Sequence, residues 1–327
     1  MNSLDIRLFG GVYVSLNGRG IGSFQTRWAS GLLAYLALKK GKLLHRDVLA
    51  SLFWPEESDQ KARKSLRNAL WRVRSKIEPT GVPPGSFLWV KGKTVGLAAD
   101  ESVRLDVAEF DCRVSAARSP ELEQSGLESL EESIRLYRGD FLDGHDYPWC
   151  VHERERLRLA LLSVLECLLT YHFHRREWSL ALQRGRALLS QDPFREHVHR
   201  CLMVCHYSMG DRPLAIRQYR ECVQILQEEM GLAPMEATRR LCQEIRRDSL
   251  RLPHPRAYAP PGSQDSLGPE MTEALARAEE ALSDLRRLTA AGRSLCLEVG
   301  SKSPLRNVSL IRWDSAAYEL PSGGQSG

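Results

Sequence analysis

The sequence predicts a mainly α-helical protein. An N-terminal winged helix-turn-helix with a small β-sheet and a wing is followed by an all-α, tetratricopeptide-like helical repeat domain. Three observations support this prediction. Apolar and polar residues alternate with a period of two at both ends of the first hundred residues. A short helix and a longer basic helix lie between those segments. Beyond residue 100 the pattern is almost wholly helical and repeats every 34 residues.

The N-terminal segment alternates between apolar and polar residues before it becomes helical. The alternation runs through residues 4–24, and Asn17-Gly18 is a typical turn pair within it. Residues 27–39 then have helical spacing, and Gly41 is placed to end that helix. With the segments described below, the order becomes strands, three helices and a hairpin, which is typical of a winged helix.

A helix-turn-helix is predicted over residues 44–77, where a short helix, a Trp-Pro turn and a longer helix follow one another. Ser58 or Asp59 is placed to cap the longer helix. Six apolar residues recur at helical spacing on the side that would face a core: Ala62, Leu66, Ala69, Leu70, Val73 and Ile77. The other faces carry Arg, Lys and Asn. In a DNA major groove, Arg forms paired hydrogen bonds with guanine and Asn forms them with adenine.

A β-hairpin predicted over residues 86–97 follows the basic helix. Its two apolar strands flank a Lys-Gly-Lys tip, which is typical of a wing beside DNA. We expect base contacts from three residues of the longer helix: Arg67, Asn68 and Trp71. We expect phosphate contacts from residues of that helix, of the first helix and of the wing: Arg63, Lys64, Arg72, Arg74, Arg27, Lys91 and Lys93.

The distribution of charge favours DNA binding over simple solvation of a basic helix. A Lys/Arg run alone is weak evidence, because most charged helix faces are solvated. The formal net charge is +5, but residues 1–105 hold 17 Lys/Arg and 8 Asp/Glu, giving +9. The remainder holds 29 basic and 33 acidic residues, giving −4. A concentrated positive patch attracts the phosphate backbone. In the alternative interpretation, the protein is an interaction scaffold whose repeat binds a partner and whose winged helix only packs against it.

Matched positions in two predicted helix pairs define the 34-residue period. Ala181 and Ala215 are one period apart, as are Glu177 and Asp211. Paired helices at this spacing are typical of tetratricopeptide repeats, which stack because one pair cannot bury its own apolar face.

The chain therefore divides into four predicted segments. They are a winged-helix domain (1–100), a helical repeat domain (105–249), a Pro-rich linker (250–269) and a C-terminal helix and tail of unknown role (270–327).

Several motifs in the first two segments match a known family. They are Arg27 to Leu38, Leu52-Phe53-Trp54-Pro55, the frame Ala62 to Ile77, Leu105-Asp106-Val107 with Phe110, Leu136 to Leu142 (LYRGDFL), Trp149 to Leu157, Asp192 to Met203 and Tyr219 to Pro234. Over about residues 4–249 the chain resembles the Streptomyces antibiotic regulatory protein (SARP) family, and LYRGDFL is the most specific match. The resemblance implies an OmpR-type winged helix and a bacterial transcriptional activation domain. It also implies an activator that binds direct repeats in double-stranded DNA near promoters and contacts RNA polymerase.

No motif favours an enzyme, a cofactor or a metal centre. The only Gly-Lys-Thr triplet lies in the predicted wing, where Phe87 stands at the position of the first P-loop glycine. His197, Cys201 and Cys205 share a helix face at metal-ligand spacing, but packing between helices is the simpler interpretation. The eight cysteines form no Cys-x-x-Cys pair, and neither a secretion signal nor a membrane span is evident. We therefore expect a cytoplasmic, non-enzymatic DNA-binding protein, which could pair as a homodimer on DNA.

Overall fold

The computed structural model describes residues 2–116 and 124–250. The first part of the chain contains β1 (Leu4–Arg7), β2 (Tyr13–Leu16), β3 (Arg19–Gly20), α1 (Arg27–Leu38), β4 (Leu44–His45), α2 (Arg46–Phe53), α3 (Asp59–Ile77), β5 (Leu88–Lys91), β6 (Thr94–Leu97) and β7 (Val103–Leu105). Helices follow: α4 (Asp106–Ala116), α5 (Gln124–Leu136), α6 (Pro148–His174), α7 (Trp178–Gln191), α8 (Glu196–Ser208), α9 (Arg212–Met230) and α10 (Glu236–Arg247). The predicted fold class is confirmed. The predicted linker and C-terminal helix lie outside the described residues. Within those residues, no helix has both the length and the apolar character needed to span a membrane.

Two small sheets frame the first three helices. In one, the order β3-β2-β1-β7 places β1 between antiparallel β2 and parallel β7. Leu4 and Ile6 of β1 alternate into the core and are fully buried. In the other, the order is β4-β6-β5, and Leu44 pairs with Val95. The strand before α2 and the hairpin after α3 therefore form one sheet, whose β5–β6 hairpin is the wing.

The first helix ends slightly earlier than the sequence predicts. Thr26 caps its N-terminus by accepting a hydrogen bond from the Ala29 N–H. The helix stops at Leu38, while Gly41 lies beyond it with φ of 80°. The Gly41 N–H donates to the Leu97 carbonyl oxygen at 3.0 Å. Gly41 therefore connects α1 to the wing sheet rather than closing the helix.

One hydrophobic core includes residues of both predicted domains. Its centre is a group of six rings, here called the aromatic cluster: Trp28, Tyr35, Phe53, Trp54, Tyr147 and Trp149. Ring centroids are 5.1 Å apart for Phe53 and Tyr147, and 5.0 Å for Tyr35 and Trp149. The start of α6 therefore packs against α1 and α2, and the described residues of both parts lie in one compact unit. A domain boundary between residues 100 and 105 stays a prediction.

The LYRGDFL segment docks on the strand β1. Phe9 and Phe141 form a β-bridge, and the Gly10 N–H donates to the Asp140 carbonyl oxygen at 2.9 Å. The two backbone segments approach closely here, since a Cβ added to Gly139 would lie 3.1 Å from the Gly10 Cα. This contact gives the motif a structural role: it holds the sheet of the winged helix against the helical part.

A buried carboxylate makes a second link between the two parts. Asp106, at the start of α4, accepts hydrogen bonds from the N–H groups of Leu8 (2.9 Å) and Phe9 (3.1 Å) at the end of β1. It also accepts from the Val107 N–H at 2.8 Å. Burial raises the pKa of Asp106, while these three backbone donors act to lower that pKa. The Asp106 side chain therefore provides hydrogen-bond acceptors for the Leu8 and Phe9 N–H groups, which lie just beyond the end of β1.

The 34-residue repeat is visible in the backbone. In the turn between α6 and α7, the Glu177 N–H donates to the His172 carbonyl oxygen at 2.9 Å. One period later, the Asp211 N–H donates to the His206 carbonyl oxygen at 2.8 Å in the turn between α8 and α9. The matched alanines of α7 and α9 are both fully buried. The paired helices therefore repeat in geometry as well as in sequence.

Candidate nucleic-acid interface

The helix α3 is anchored to the core along one side. All six apolar residues predicted for that side are buried. Ser58 occupies the N-cap position, although its side chain makes no capping hydrogen bond. Because residues three and four apart share a helix face, the opposite side presents one exposed ridge: Lys61, Lys64, Asn68 and Trp71.

This helix carries more positive charge than its neighbours neutralise. Its sequence contains seven Lys/Arg and one Asp. Four of the basic side chains have no ion-pair or hydrogen-bond partner within the described ranges: Lys61, Lys64, Arg67 and Arg72. An uncompensated cluster of this kind attracts an anion. The sequence-based prediction missed Lys61, although its spacing of three residues from Lys64 places it on the same ridge.

Trp71 is the most unusual residue on the ridge. It is 67% exposed, whereas large aromatic side chains are generally buried. An isolated exposed Trp on a monomer needs no explanation, but this one lies beside Asn68 among unpaired cations. Its ring offers a flat apolar surface to whatever the charged ridge attracts.

The wing is fixed to the helix-turn-helix through its backbone. Its tip is a two-residue turn, with Gly92 at φ of 56°, and the Lys91 and Lys93 side chains beside it are exposed. The Lys93 carbonyl oxygen accepts a hydrogen bond from the Arg46 N–H, at the start of α2, at 2.9 Å. The Lys91 Nζ lies 5.8 Å from the centroid of the Trp89 ring. Both predicted wing cations therefore project from a well-anchored hairpin.

Arg74 lies in a different environment from the other predicted phosphate contacts. Its Nη2 donates to the Leu88 carbonyl oxygen at 3.1 Å, and its Nε lies 3.3 Å from Glu78 Oε2. The buried Glu78 carboxylate also accepts hydrogen bonds from the N–H groups of Phe87 and Leu88, both at 2.8 Å. Arg74 thus helps to attach the end of α3 to the wing. The phosphate role predicted for Arg74 would have to compete with these internal contacts.

Arg63 and Arg27 also have neighbours within the protein. Arg63 Nε lies 2.8 Å from Asp47 Oδ1, and both side chains are largely exposed. An exposed pair of this kind contributes little to stability, so a phosphate could replace the carboxylate. Arg27 is exposed at the start of α1, with its guanidinium 5.6 Å from the Trp28 ring centroid. Among the described residues, Arg27 contacts Trp28 through its guanidinium and Tyr147 through its carbonyl oxygen. Neither contact connects Arg27 to the α3 ridge.

The three α8 residues at metal-ligand spacing, His197, Cys201 and Cys205, are engaged in hydrogen bonding and packing. His197 Nε2 lies 2.9 Å from Glu166 Oε1 on α6. Burial raises the pKa of Cys201 to about 11 and that of Cys205 to about 12. Zinc binds cysteine as the thiolate, and this environment disfavours the thiolate.

The family described as the bacterial transcriptional activator domain matches residues 105–246. AfsR of Streptomyces coelicolor, a regulatory protein, is 28% identical over 218 residues, which are 65% of this chain and 21% of AfsR. The transcriptional regulator RedD of the same species is 26% identical over 246 residues, which are 74% of this chain and 70% of RedD. These matches bear out the resemblance to the Streptomyces antibiotic regulatory protein family. The chain spans about a fifth of the length of AfsR.

A solved structure confirms the fold of this chain. It is Mycobacterium tuberculosis EmbR in complex with a low-affinity phosphopeptide, with a TM-score of 0.57 and 22% sequence identity. The match covers 77% of this chain and 67% of the EmbR chain. By sequence, EmbR is 23% identical over 260 residues, which are 75% of this chain and 63% of EmbR. At this identity the likeness shows that the two chains share a fold.

Proposed function

We propose that the regulator binds double-stranded DNA in a sequence-specific manner through α3 and the wing, and that it activates transcription in the bacterial cytoplasm by contacting RNA polymerase. The observation that carries the proposal is the α3 ridge, where unpaired cations, Asn68 and an exposed Trp71 lie on a helix anchored by its other side. A rigid helix with free hydrogen-bond donors suits the major groove. Similarity to the regulatory proteins AfsR and RedD supports the same conclusion.

The side chains divide into two roles in this proposal. Arg67, Asn68 and Trp71 face bases, where paired hydrogen bonds and apolar contact distinguish one sequence from another. Six further cations of α3 and the wing, all exposed except the half-buried Arg72, hold phosphates: Lys61, Lys64, Arg63, Arg72, Lys91 and Lys93. Phosphate contacts set affinity and register but carry no sequence information.

Selection from random duplex DNA tests sequence specificity. The full chain is required, because the aromatic cluster joins α1 and α2 to α6 and the winged helix has no separate core. We expect an enriched motif that the protein prefers as a direct repeat, with two copies bound per repeat. Affinity should fall steeply with salt. No enrichment, with only weak salt-sensitive binding, would favour the interaction scaffold instead.

Two substitutions separate the proposed roles. Arg67→Ala should relax base preference at one position and cost about 1–3 kcal/mol on the selected site, with a smaller loss on random DNA. Lys93→Ala should weaken binding to both DNAs about equally and reduce the salt slope by about one. Arg220→Ala, which removes an exposed arginine from α9, is the matched control and should change neither. Equal losses for Arg67→Ala and Lys93→Ala on both DNAs would contradict this division.

Activation is tested separately by transcription in vitro with purified RNA polymerase. We expect the regulator to increase transcript from a promoter that carries the selected direct repeat, and to bind the polymerase on that DNA. Specific DNA binding without any increase in transcript would leave a DNA-binding protein that does not activate.

A further inference from the structure

A cavity of about 390 Å³ lies between α7, α8 and α9, outside the DNA-facing surface. This volume falls within the range of small-molecule sites. Its walls combine charged and apolar side chains. The main charged and polar lining residues are Arg186, His199, His206, Arg217, Gln218 and Glu221, and leucine, isoleucine, serine and proline residues complete the lining.

His206 is a buried polar side chain without a partner. It is only 5% exposed, and its imidazole has no hydrogen bond to any described residue. Burial lowers the pKa of His206, and the charge of Arg186 nearby lowers it further. Neither ring nitrogen is fully enclosed, so the imidazole opens to the cavity, where a ligand atom or water can bind it.

Two arginines at the cavity form no ion pair, and the one carboxylate among the described lining residues, Glu221, accepts a hydrogen bond from Gln218 instead. Arg186 on α7 and Arg217 on α9 are both exposed, and neither forms an ion pair with a described residue. Their neighbours behave differently. Arg184, two residues before Arg186, pairs with Glu131, and Arg195 pairs with Glu166. Paired arginines on these elements fasten helices together, whereas the two cavity arginines are left available to an anion.

The opposite wall is held by a chain of hydrogen bonds. His199 Nε2 donates to the Pro193 carbonyl oxygen at 3.0 Å, so His199 Nδ1 accepts from Gln218 Nε2 at 2.9 Å. Burial lowers the pKa of His199, which agrees with this neutral form. Gln218 Nε2 donates in turn to Glu221 Oε2 at 3.0 Å. The wall is therefore pre-organised and does not need to rearrange when a ligand enters.

We propose that this cavity binds a small organic acid, with its carboxylate between Arg186 and Arg217 within reach of His206 and its apolar body against the leucine and isoleucine side chains. Guanidinium groups bind carboxylates with paired, charge-assisted hydrogen bonds. The carboxylate could come from a free acid or from the C-terminus of a peptide. The site is independent of the proposed DNA contacts, because α3 and the wing contribute no residue to it.

Calorimetric titration of the full chain tests the proposal with named probes. Octanoate is the free acid, octylamine and octanol have the same apolar body without a carboxylate, and acetyl-Leu-Leu with a free C-terminus is the peptide source. We expect saturable binding of octanoate or of the dipeptide, at least roughly tenfold tighter than that of octylamine or octanol. Whichever acid binds more tightly identifies the source. No saturable binding of either acid up to about 10 mM would overturn the proposal.

Substitutions locate the site. Arg186→Gln and Arg217→Gln should each weaken binding of the preferred acid by roughly tenfold or more. Both side chains are exposed, so the fold should tolerate the changes. Arg220→Gln on the same helix as Arg217 removes an equal charge outside this cavity and should leave affinity unchanged. Binding that survives both cavity substitutions, or that Arg220→Gln weakens equally, would overturn the proposal.

Discussion

Glu78 offers a quantitative test of how the wing is attached to α3. Its buried carboxylate accepts hydrogen bonds from the Phe87 and Leu88 N–H groups through Oε1, and from the Gly85 N–H through Oε2. Oε2 also faces the Arg74 guanidinium. Glu78→Gln and Glu78→Ala remove different parts of this arrangement. Comparison of the two variants therefore separates the contribution of the charge from that of the acceptor.

The expected losses follow from the burial of each donor. Phe87 and Leu88 are each 1% exposed, so Glu78→Ala leaves two buried N–H groups without an acceptor. At about 1–3 kcal/mol for each unsatisfied group, the free energy of unfolding should fall by about 4 kcal/mol. Glu78→Gln can keep its carbonyl oxygen on those two donors. It loses only the exposed Gly85 contact and the half-exposed pair with Arg74, at a cost of about 1 kcal/mol.

Urea denaturation of the full chain, followed by Trp fluorescence and far-UV circular dichroism, measures both values. Hydrogen exchange at the Phe87 and Leu88 amides provides a local check, because these amides should lose protection in the alanine variant alone. Equal destabilisation by the two substitutions would refute the reasoning, since charge rather than the two buried acceptor contacts would then hold the wing.

Three further substitutions test packing, backbone geometry and charge. Gly31→Ala should lower the free energy of unfolding by about 1–3 kcal/mol, because the added Cβ would lie 2.5 Å from the Tyr147 ring. An unchanged urea midpoint would show that this ring moves without cost. Gly210→Ala should cost about 1 kcal/mol through its backbone alone, since its φ is 84° and nothing lies within 4 Å of an added Cβ. A loss within the error of the same urea measurement would contradict that account. Glu166→Gln should flatten the acid limb of the stability curve. Burial acts to raise the pKa of Glu166, but His197 and Arg195 lower this pKa below its ordinary value of 4.5. That contribution is therefore present above pH 4.5 and lost as the pH falls further. Equal losses of stability in both proteins between about pH 7 and pH 3 would exclude this role.

Local periodicity was sufficient to predict α3. Its apolar residues recur every three or four positions, and all six are buried. The wing was predictable for a similar reason, because a turn glycine separates two apolar strands that are adjacent in sequence. The 34-residue repeat also depends on short-range order and is present in the backbone turns.

Long-range contacts could not be predicted in this way. Arg74 has the same pattern of neighbours in sequence as Arg67, yet its guanidinium reaches the Leu88 carbonyl oxygen, 14 residues away. Trp149 gives no sign in sequence that it meets Tyr35, more than a hundred residues earlier. The unpaired state of Arg186 and Arg217 is a property of three packed helices. No motif indicates which arginines lack carboxylate partners.

The shared aromatic cluster has a consequence for how proteins of this fold diversify. If the winged helix of one relative were exchanged for another at a junction near residue 100, Trp28 and Phe53 would meet foreign residues in place of Tyr147 and Trp149. Their ring contacts depend on matched shapes, and mismatched large side chains in a core typically cost several kcal/mol. If α3 reads DNA as proposed, new operator specificity is therefore more easily acquired by substitution on the exposed α3 ridge than by recombination. Functional chimeras should carry the first turn of α6 together with the winged helix.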